Sequence, residues 1–470
     1  MRWSTPMSLV RPDGSSVNRR VYFDESVFNE ETERIFTKTW QFVAHESEIA
    51  EPGDYVARRL GNDPVIVSRS EDGAVHVLHN ACRHRGAQLC LADLGNTSHF
   101  RCSYHGWTYS NTGQLRGVPQ TPTLYRGTLK RAELGLSAAR VELFHGLIFA
   151  NWAHDALSLK ESLGDMAWYM ETVFARDYEV VGVPTRLRGH HNWKTGAENW
   201  TADGYHGDVT HKVLFGLGVA LPDESVVTYA VEQGAGMPTP DEEMGDLSAF
   251  EFTAGHGHSG LMFRLPIKFE RPAFIGYEPH LWDDFASQLD ADQTNVAARR
   301  VVTVSTVFPN FSFIEQVLTN LGDGEPPVMS LNIRVWAPIS ATETEIINWV
   351  LVPKAATSEW KKASQKAFAR TLSVGGIFEV DDLQNWTGMA QSNTGAIGLS
   401  TDHHFGGAPA DAPTHKVSWP GHVYPGQYHD VMFREYFKEW DRWMTGDDSD
   451  PGCNQNGRTE TAKLGSQVGP

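Results

Sequence analysis

The chain has 470 residues, with 58 acidic and 40 basic side chains and a formal net charge of −18. A protein this negative does not gather phosphate backbones by bulk electrostatics, which excludes nucleic-acid binding of that kind. Its 4 cysteines are too few for a disulfide scaffold, no run approaches the roughly 20 apolar residues of a membrane span, and the N-terminus lacks a signal-peptide core, so a cytoplasmic protein of two or three domains is expected.

In chain order, Asp24 to Trp40 reads as a helix capped by Asp24, with Val27, Ile35 and Trp40 as apolar positions. Residues 1–40 are expected to pack with the later part of the chain. From 41 to 155 the texture is that of a compact all-β unit, with strands at Tyr55–Leu60, Asp63–Ser68, Ala74–His79 and Leu143–Trp152 broken by Gly, Asn and Asp. From 156 to 446 helices and strands mix. Leu157–Phe174 is helical in pattern, and Val301–Phe308, Val328–Trp336 and Glu345–Val352 read as strands of an antiparallel sheet. Gly255 to Gly260 matches G-x-G-x-x-G, but Leu261-Met262-Phe263-Arg264-Leu265-Pro266 follows instead of a helix, so no dinucleotide site is expected. His256 and His258 are read as a loop near the catalytic cavity, and Arg264 and Lys268 as exposed cations within conceivable reach of a substrate carboxylate. The last helix, Tyr428–Met444, carries Met432, Phe433, Tyr436, Phe437, Trp440 and Trp443 at helical spacing, read as core or subunit contact. Residues 447–470 are polar and Gly-rich and are expected to be disordered; Cys90 and Cys453 receive no role.

Chemistry enters at two places. Cys82-Arg83-His84 and Cys102-Ser103-Tyr104-His105 give C-x-H and, after 17 residues, C-x-x-H. Two Cys and two His suit a zinc ion or a [2Fe–2S] cluster held by two Cys on one iron and two His on the other. Each pair here is mixed, so each loop can give one Cys to one iron and one His to the other; this favours the cluster. Gly86 and Gly106 permit tight loops, and Trp107 can shield the centre from water. Further on, a helix would bring Asn199, Asp203 and His206 to one face, and His211 joins them only if the helix ends or bulges near Gly204 or Gly207. With one carboxylate the two His would form a facial triad for non-haem Fe(II).

The first pair of loops resembles the Rieske motif of aromatic ring-hydroxylating oxygenases. The segment from Glu198 to His211 is similar to their iron-ligand pattern, E-N-x-x-x-D-x-Y-H-x-x-x-x-H. The resemblance spans about residues 20–445 and is nearest to the large α subunits of the naphthalene and biphenyl dioxygenase group. It implies an α+β fold: a Rieske all-β domain before a larger catalytic domain with an antiparallel sheet covered by helices. It further implies Cys82, His84, Cys102 and His105 as cluster ligands, and Asp382, of the pair Asp381-Asp382, as third ligand to mononuclear Fe(II) beside His206 and His211. Asp203 becomes an electron bridge to a Rieske His of a neighbouring subunit, with Asn199 beside it. Asn199, Trp200, Phe311, Phe313, Phe378 and Trp386 line the substrate pocket. The implied reaction is O₂-dependent cis-dihydroxylation of a bicyclic or polycyclic arene or an aromatic carboxylate such as phthalate. Electrons come from NADH through a reductase and a ferredoxin. The chain's length favours an α₃β₃ hexamer with a small β subunit. Arg83, Arg85, Arg101 and Arg116 form a local basic exception where an acidic ferredoxin could dock. A Rieske monooxygenase or demethylase acting on a ring substituent, and a cluster-only electron-transfer protein, are the alternatives.

Overall fold

A computed structural model of the chain describes residues 9–217, 224–241, 244–245, 247–318, 326–408 and 414–446. The tail at 447–470, with Cys453, lies outside the described residues.

The N-terminal helix is shorter than the pattern suggests. Asp24 does cap it, accepting from the Ser26 amide at 2.8 Å, but α1 (Glu25–Glu31) passes into a π-type turn at Thr32–Phe36. Next come β1 (Gln41–His45), β2 (Asp54–Leu60), β3 (Asp63–Arg69), β4 (Val75–His79) and β5 (Leu94–Asn96), a small sheet of β6 (His99–Arg101), β7 (Thr108–Ser110) and β8 (Leu115–Gly117), then β9 (Ala138–Phe144) and β10 (Leu147–Asn151). The seven-stranded antiparallel sheet runs β1-β10-β9-β4-β3-β2-β5. The single strand expected over Leu143–Trp152 is a hairpin. His145 and Gly146 both take positive φ, +46° and +81°, which reverses the chain in two residues.

The helix expected over Leu157–Phe174 is also divided. Gly164 adopts φ +50° between Leu159–Leu163 and α2 (Met166–Phe174). A nine-stranded antiparallel sheet follows, built from β11 (Tyr178–Val180), β12 (Thr185–Gly189), β13 (Ala249–Thr253), β14 (Ser259–Arg264), β15 (Arg300–Val307), β16 (Phe311–Leu318), β17 (Val328–Ser340), β18 (Glu343–Pro353) and β19 (His422–Pro425). Its order is β11-β18-β17-β16-β15-β14-β13-β19, with β12 also paired to β18.

Side-chain alternation divides this sheet into two faces. Phe311, Phe313, Ile333, Val335, Ile347 and Trp349 point to one core, which also holds α2 and Phe42 and Phe149 of the first sheet. Trp336, Ile346 and Val350 point the other way, into a second core shared with α3 (Trp193–Ala202), α6 (Ser358–Thr371), α7 (Ile377–Asn393) and α8 (Val431–Thr445). The aromatic stripe on α8 belongs to this core, with Tyr436, Phe437 and Trp440 at or below 1% exposure. Among the described residues no helix is long and apolar enough to cross a membrane.

The N-terminal segment is tied to α3 through buried charge. Glu31, at 0% exposure, accepts from Lys194 Nζ (2.5 Å), Trp193 Nε1 (2.9 Å) and Trp440 Nε1 (2.7 Å). One turn further along α3, Glu198 Oε2 accepts from the Tyr22 hydroxyl at 2.6 Å.

Candidate metal centres and active site

Cys82 and Cys102 open two loops of one conformation. The Cys82 carbonyl accepts from the Gly86 amide and its own amide donates to the Ala87 carbonyl, each at 2.8 Å; Cys102 does the same with Gly106 (2.9 Å) and Trp107 (2.8 Å). Gly86 and Gly106 hold φ +75° and +72°, where a side chain would be strained. Both thiols are buried. Cys82 Sγ lies 3.4 Å from the Tyr109 hydroxyl, which accepts from the Arg83 amide at 3.0 Å and so has its proton free for sulfur. Burial pushes the Tyr109 pKa up, keeping that donor protonated.

On the second side of the pair, His84 Nδ1 and His105 Nδ1 are 3.2 Å apart. Trp107 stacks on His84 at 5.0 Å and 7° between planes. These four residues fit a two-iron cluster better than one zinc ion. A single tetrahedral zinc needs all four ligand atoms within about 4 Å of one another. Yet the described residues hold a group of three or more such ligand atoms within 4.8 Å only at His206, His211 and Asp382.

That group is the second centre. The helix expected through Asn199, Asp203 and His206 breaks at Asp203, which ends α3 and caps α4 (Gly204–Thr210), its Oδ1 accepting from the His206 amide at 3.0 Å. α4 stops at Thr210, and His211 precedes α5 (Lys212–Gly216). This stop turns His211 back toward His206, with ring centroids 5.1 Å apart. Asp382 on α7 completes the set, with Oδ1 3.6 Å from His206 Nε2 and 3.3 Å from His211 Nε2. Ligand atoms at about 2.1 Å from one ion, at roughly right angles, stand about 3 Å apart or a little more, so the three fit a facial iron site.

The ring orientation has a visible cause. His206 Nδ1 lies 2.6 Å from the Asp203 carbonyl oxygen, which places its proton there and leaves Nε2 free toward Asp382. Burial opposes charge on His206, but hydrogen bonding and charge from Asp203, with Asp382, hold its pKa up to about 9, so a metal ion must displace a proton there. Asn199 Nδ2 donates to Asp203 Oδ2 at 3.3 Å, while Asn199 Oδ1 is buried without a partner. Asp381 does not cap α7, which starts after Gly376; its Oδ2 stands 3.7 Å from His211 Nδ1.

Residues 39–132 match the model of the Rieske [2Fe-2S] domain, and residues 174–446 match that of the ring hydroxylating alpha subunit (catalytic domain). This chain belongs to the Rieske ring-hydroxylating alpha-subunit family. It is similar to the N,N-dimethyl phenylurea N-demethylase subunit alpha of a Sphingobium species, at 32% identity over 91% of each chain. It is also similar to the large oxygenase component of the naphthalene 1,2-dioxygenase system of Pseudomonas aeruginosa, at 34% identity over 82% of each. The solved naphthalene 1,2-dioxygenase from a Rhodococcus species, bound to indole, superposes with a TM-score of 0.83 and 33% identity over 92% of this chain and 95% of that one. The protein is thus an oxidoreductase of the Rieske aromatic ring-hydroxylating dioxygenase family, whose members carry a Rieske cluster and a mononuclear iron.

Of the residues expected to line the substrate pocket of this alpha subunit, Asn199 and Phe378 lie at the triad. Phe378 meets His211 edge-on at 4.8 Å. Trp200 and Trp386 pack on Trp336 in the core. Phe311 and Phe313 are two apart on β16, so both face the core opposite α3 and α7, against Phe42, Phe149 and Phe174. Arg264 is buried rather than exposed: it lies over Phe250 and Trp419 and donates to the Leu247 carbonyl. Lys268 pairs with Asp241 at 3.0 Å. His258 is a core residue, accepting from the Phe308 amide at 3.0 Å with Nε2 3.0 Å from the Ser162 carbonyl oxygen, and burial lowers its pKa to about 4.

Two features escaped the sequence. A cleft of about 460 Å³ beside Asp203 is lined by Asp203, Tyr205, Asp208, Glu251, His429 and Asp430 among others, with no Lys or Arg in its lining. Arg334, on β17, is the other. Nothing in spacing marks either, because each joins segments far apart in sequence.

Proposed function

We propose that this alpha subunit adds both atoms of O₂ to one face of an aromatic ring, giving a cis-dihydrodiol, with NADH as ultimate donor through a reductase and a ferredoxin. The observation that carries the reading is one chain holding both the paired Cys/His loops and the His206–His211–Asp382 group within 4.8 Å. When bound, the cluster at Cys82, His84, Cys102 and His105 supplies single electrons and the iron at His206, His211 and Asp382 supplies oxygen activation. The protein's part is orientation. Asp203 holds the His206 ring by its carbonyl, and Phe378 gives the site an apolar wall suited to a flat arene. Arg264 is engaged by Phe250, Trp419 and the Leu247 carbonyl and Lys268 by Asp241, which favours a neutral arene over an aromatic carboxylate.

In this reading residues 41–155 form the Rieske domain, 156–446 the catalytic domain, and residues 1–40 a strap on the latter. The protein acts in the cytoplasm as part of an α₃β₃ assembly. Asp203 carries electrons from His105 of a second copy to His206. In support, the Rieske sheet packs on the face of the large sheet opposite α3 and α7. The exposed Arg83, Arg85 and Arg116 are assigned the ferredoxin contact.

A second reading is N-demethylation of an aryl amine, favoured by the 32% identity to the phenylurea demethylase subunit over 91% of the chain. Turnover under ¹⁸O₂ with a surrogate ferredoxin and reductase, on a panel of naphthalene, biphenyl, phthalate and an N-methyl arylurea, decides between them. Two labelled atoms in one ring product support dihydroxylation. One oxygen incorporated with loss of the methyl group replaces it with the second reading. Analysis that finds cluster iron alone, with no mononuclear iron, leaves an electron-transfer protein.

A further inference from the structure

Arg334 is a fully buried cation, at 0% exposure, on the face of β17 that carries both ligand helices. Its Nη2 donates to Glu379 Oε2 at 2.7 Å and its Nε to Asn348 Oδ1 at 2.5 Å, Asn348 being its register partner on β18. The guanidinium also lies over Trp200 at 4.2 Å and over Trp336 at 5.0 Å. Glu379 stands one helical turn before Asp382 on α7. Trp200 follows Asn199 on α3, the helix that ends at Asp203. One guanidinium therefore grips both helices that bring the metal ligands together.

Trp336, two residues along the same face, extends the seat. Its ring meets Trp386 of α7 at 5.4 Å and Trp200 of α3 at 5.8 Å. A Cβ on Gly196 would fall 2.2 Å from it, so α3 sits as close to β17 as a helix can. Along the sheet normal, α3 has no slack. The adjustable quantity is the α3–α7 separation, and the Arg334 grip spans it.

We propose that Arg334 is a positioning residue of the iron site, setting through Glu379 and Trp200 the distance between Asp382 and the two histidines. This rests on the ligand reading of His206, His211 and Asp382. A planar, multi-donor cation suits the task, since it can pair with a carboxylate and stack on an indole at once. Groups that orient ligands in this way typically change metal affinity 10–100-fold when altered.

The test uses the full chain loaded with both metals. The double variant Arg334→Met/Glu379→Met replaces the buried pair by apolar groups of similar size, a change that is often neutral for stability. Its thermal unfolding and Rieske electron-paramagnetic-resonance signal are expected to match the parent. Its mononuclear Fe(II) affinity, by chelator competition, is expected to fall 10–100-fold, and the nitric oxide adduct of its ferrous site to show a broadened S = 3/2 spectrum. A purely structural pair would move neither of these last two. Affinity within twofold of the parent and an unchanged nitrosyl spectrum would overturn the proposal. If the double variant does not fold, Glu379→Gln is measured the same way, with the same two outcomes. His211→Ala runs alongside. If it keeps its mononuclear iron, the ligand reading itself is wrong; if it loses that iron while the Arg334 and Glu379 variants keep parental affinity, positioning alone fails.

Discussion

Glu31 offers the sharpest test of how the N-terminal strap is held. It is completely buried and receives three donors, Lys194 Nζ at 2.5 Å, Trp440 Nε1 at 2.7 Å and Trp193 Nε1 at 2.9 Å. The two indoles reach different carboxylate oxygens, Trp440 Oε1 and Trp193 Oε2, so Glu31→Gln keeps an acceptor for one of them and leaves the Lys194 cation without its anion, a loss of about 3–5 kcal/mol for a buried pair. Glu31→Ala orphans both indole N–H groups, at about 1–3 kcal/mol each. Glu31→Gln/Lys194→Met removes the stranded cation and retains that one acceptor, so it should recover the larger part of what Glu31→Gln loses. Urea unfolding followed by tryptophan fluorescence reads all three, with the visible circular dichroism of the Rieske centre reporting the other sheet separately. The order should be parent, then the double variant, then Glu31→Gln, then Glu31→Ala. A Glu31→Gln change under 0.5 kcal/mol, or a double variant no better than Glu31→Gln, refutes the coupling.

Burial raises the Glu198 pKa from 4.5 to about 8 against the Tyr22 hydrogen bond. At about 1.4 kcal/mol per tenfold in proton affinity this is at most about 5 kcal/mol, fully present below pH 4.5 and lost as pH rises to about 8. Glu198→Gln should therefore match the parent near pH 5 and exceed it in melting temperature at pH 9; a constant difference across that range contradicts the assignment. Asp203→Asn keeps the cap on His206 and should retain both metals, while single-turnover electron transfer into the iron site collapses; normal single-turnover rates would remove Asp203 from the electron path. Arg116→Glu should weaken ferredoxin coupling at low salt with the assembly mass unchanged. Coupling indifferent to both charge and ionic strength ends the docking idea, and a broken assembly assigns the arginines to the subunit contact instead.

The sequence exposed the local parts of these sites and hid the long-range ones. Cys82, His84, Cys102 and His105 sit in two short loops, so spacing and glycine placement read them directly. His206 and His211 were legible as a pair, but the helix break just before them follows from Asp203 turning its side chain onto the His206 amide, which periodicity cannot report. Phe311 and Phe313 were read as pocket residues by resemblance; strand parity keeps them together on one face, and only the register of the whole sheet says which face. Arg334 and Glu379 are 45 residues apart in sequence. Nothing short of the fold brings them together.

The apolar seam between the two sheets has a mechanical consequence. Phe42 of β1 touches Phe311, Phe149 and Trp349 at centroid separations of 5.0–5.9 Å, inside one continuous core. A joint packed like a protein interior has no hinge, and interiors resist being sheared. The Rieske head cannot swing like a tethered shuttle between its donor and its own iron. Its place on the large sheet is fixed when the chain folds, and whatever gates the flow of electrons must act with the head standing still.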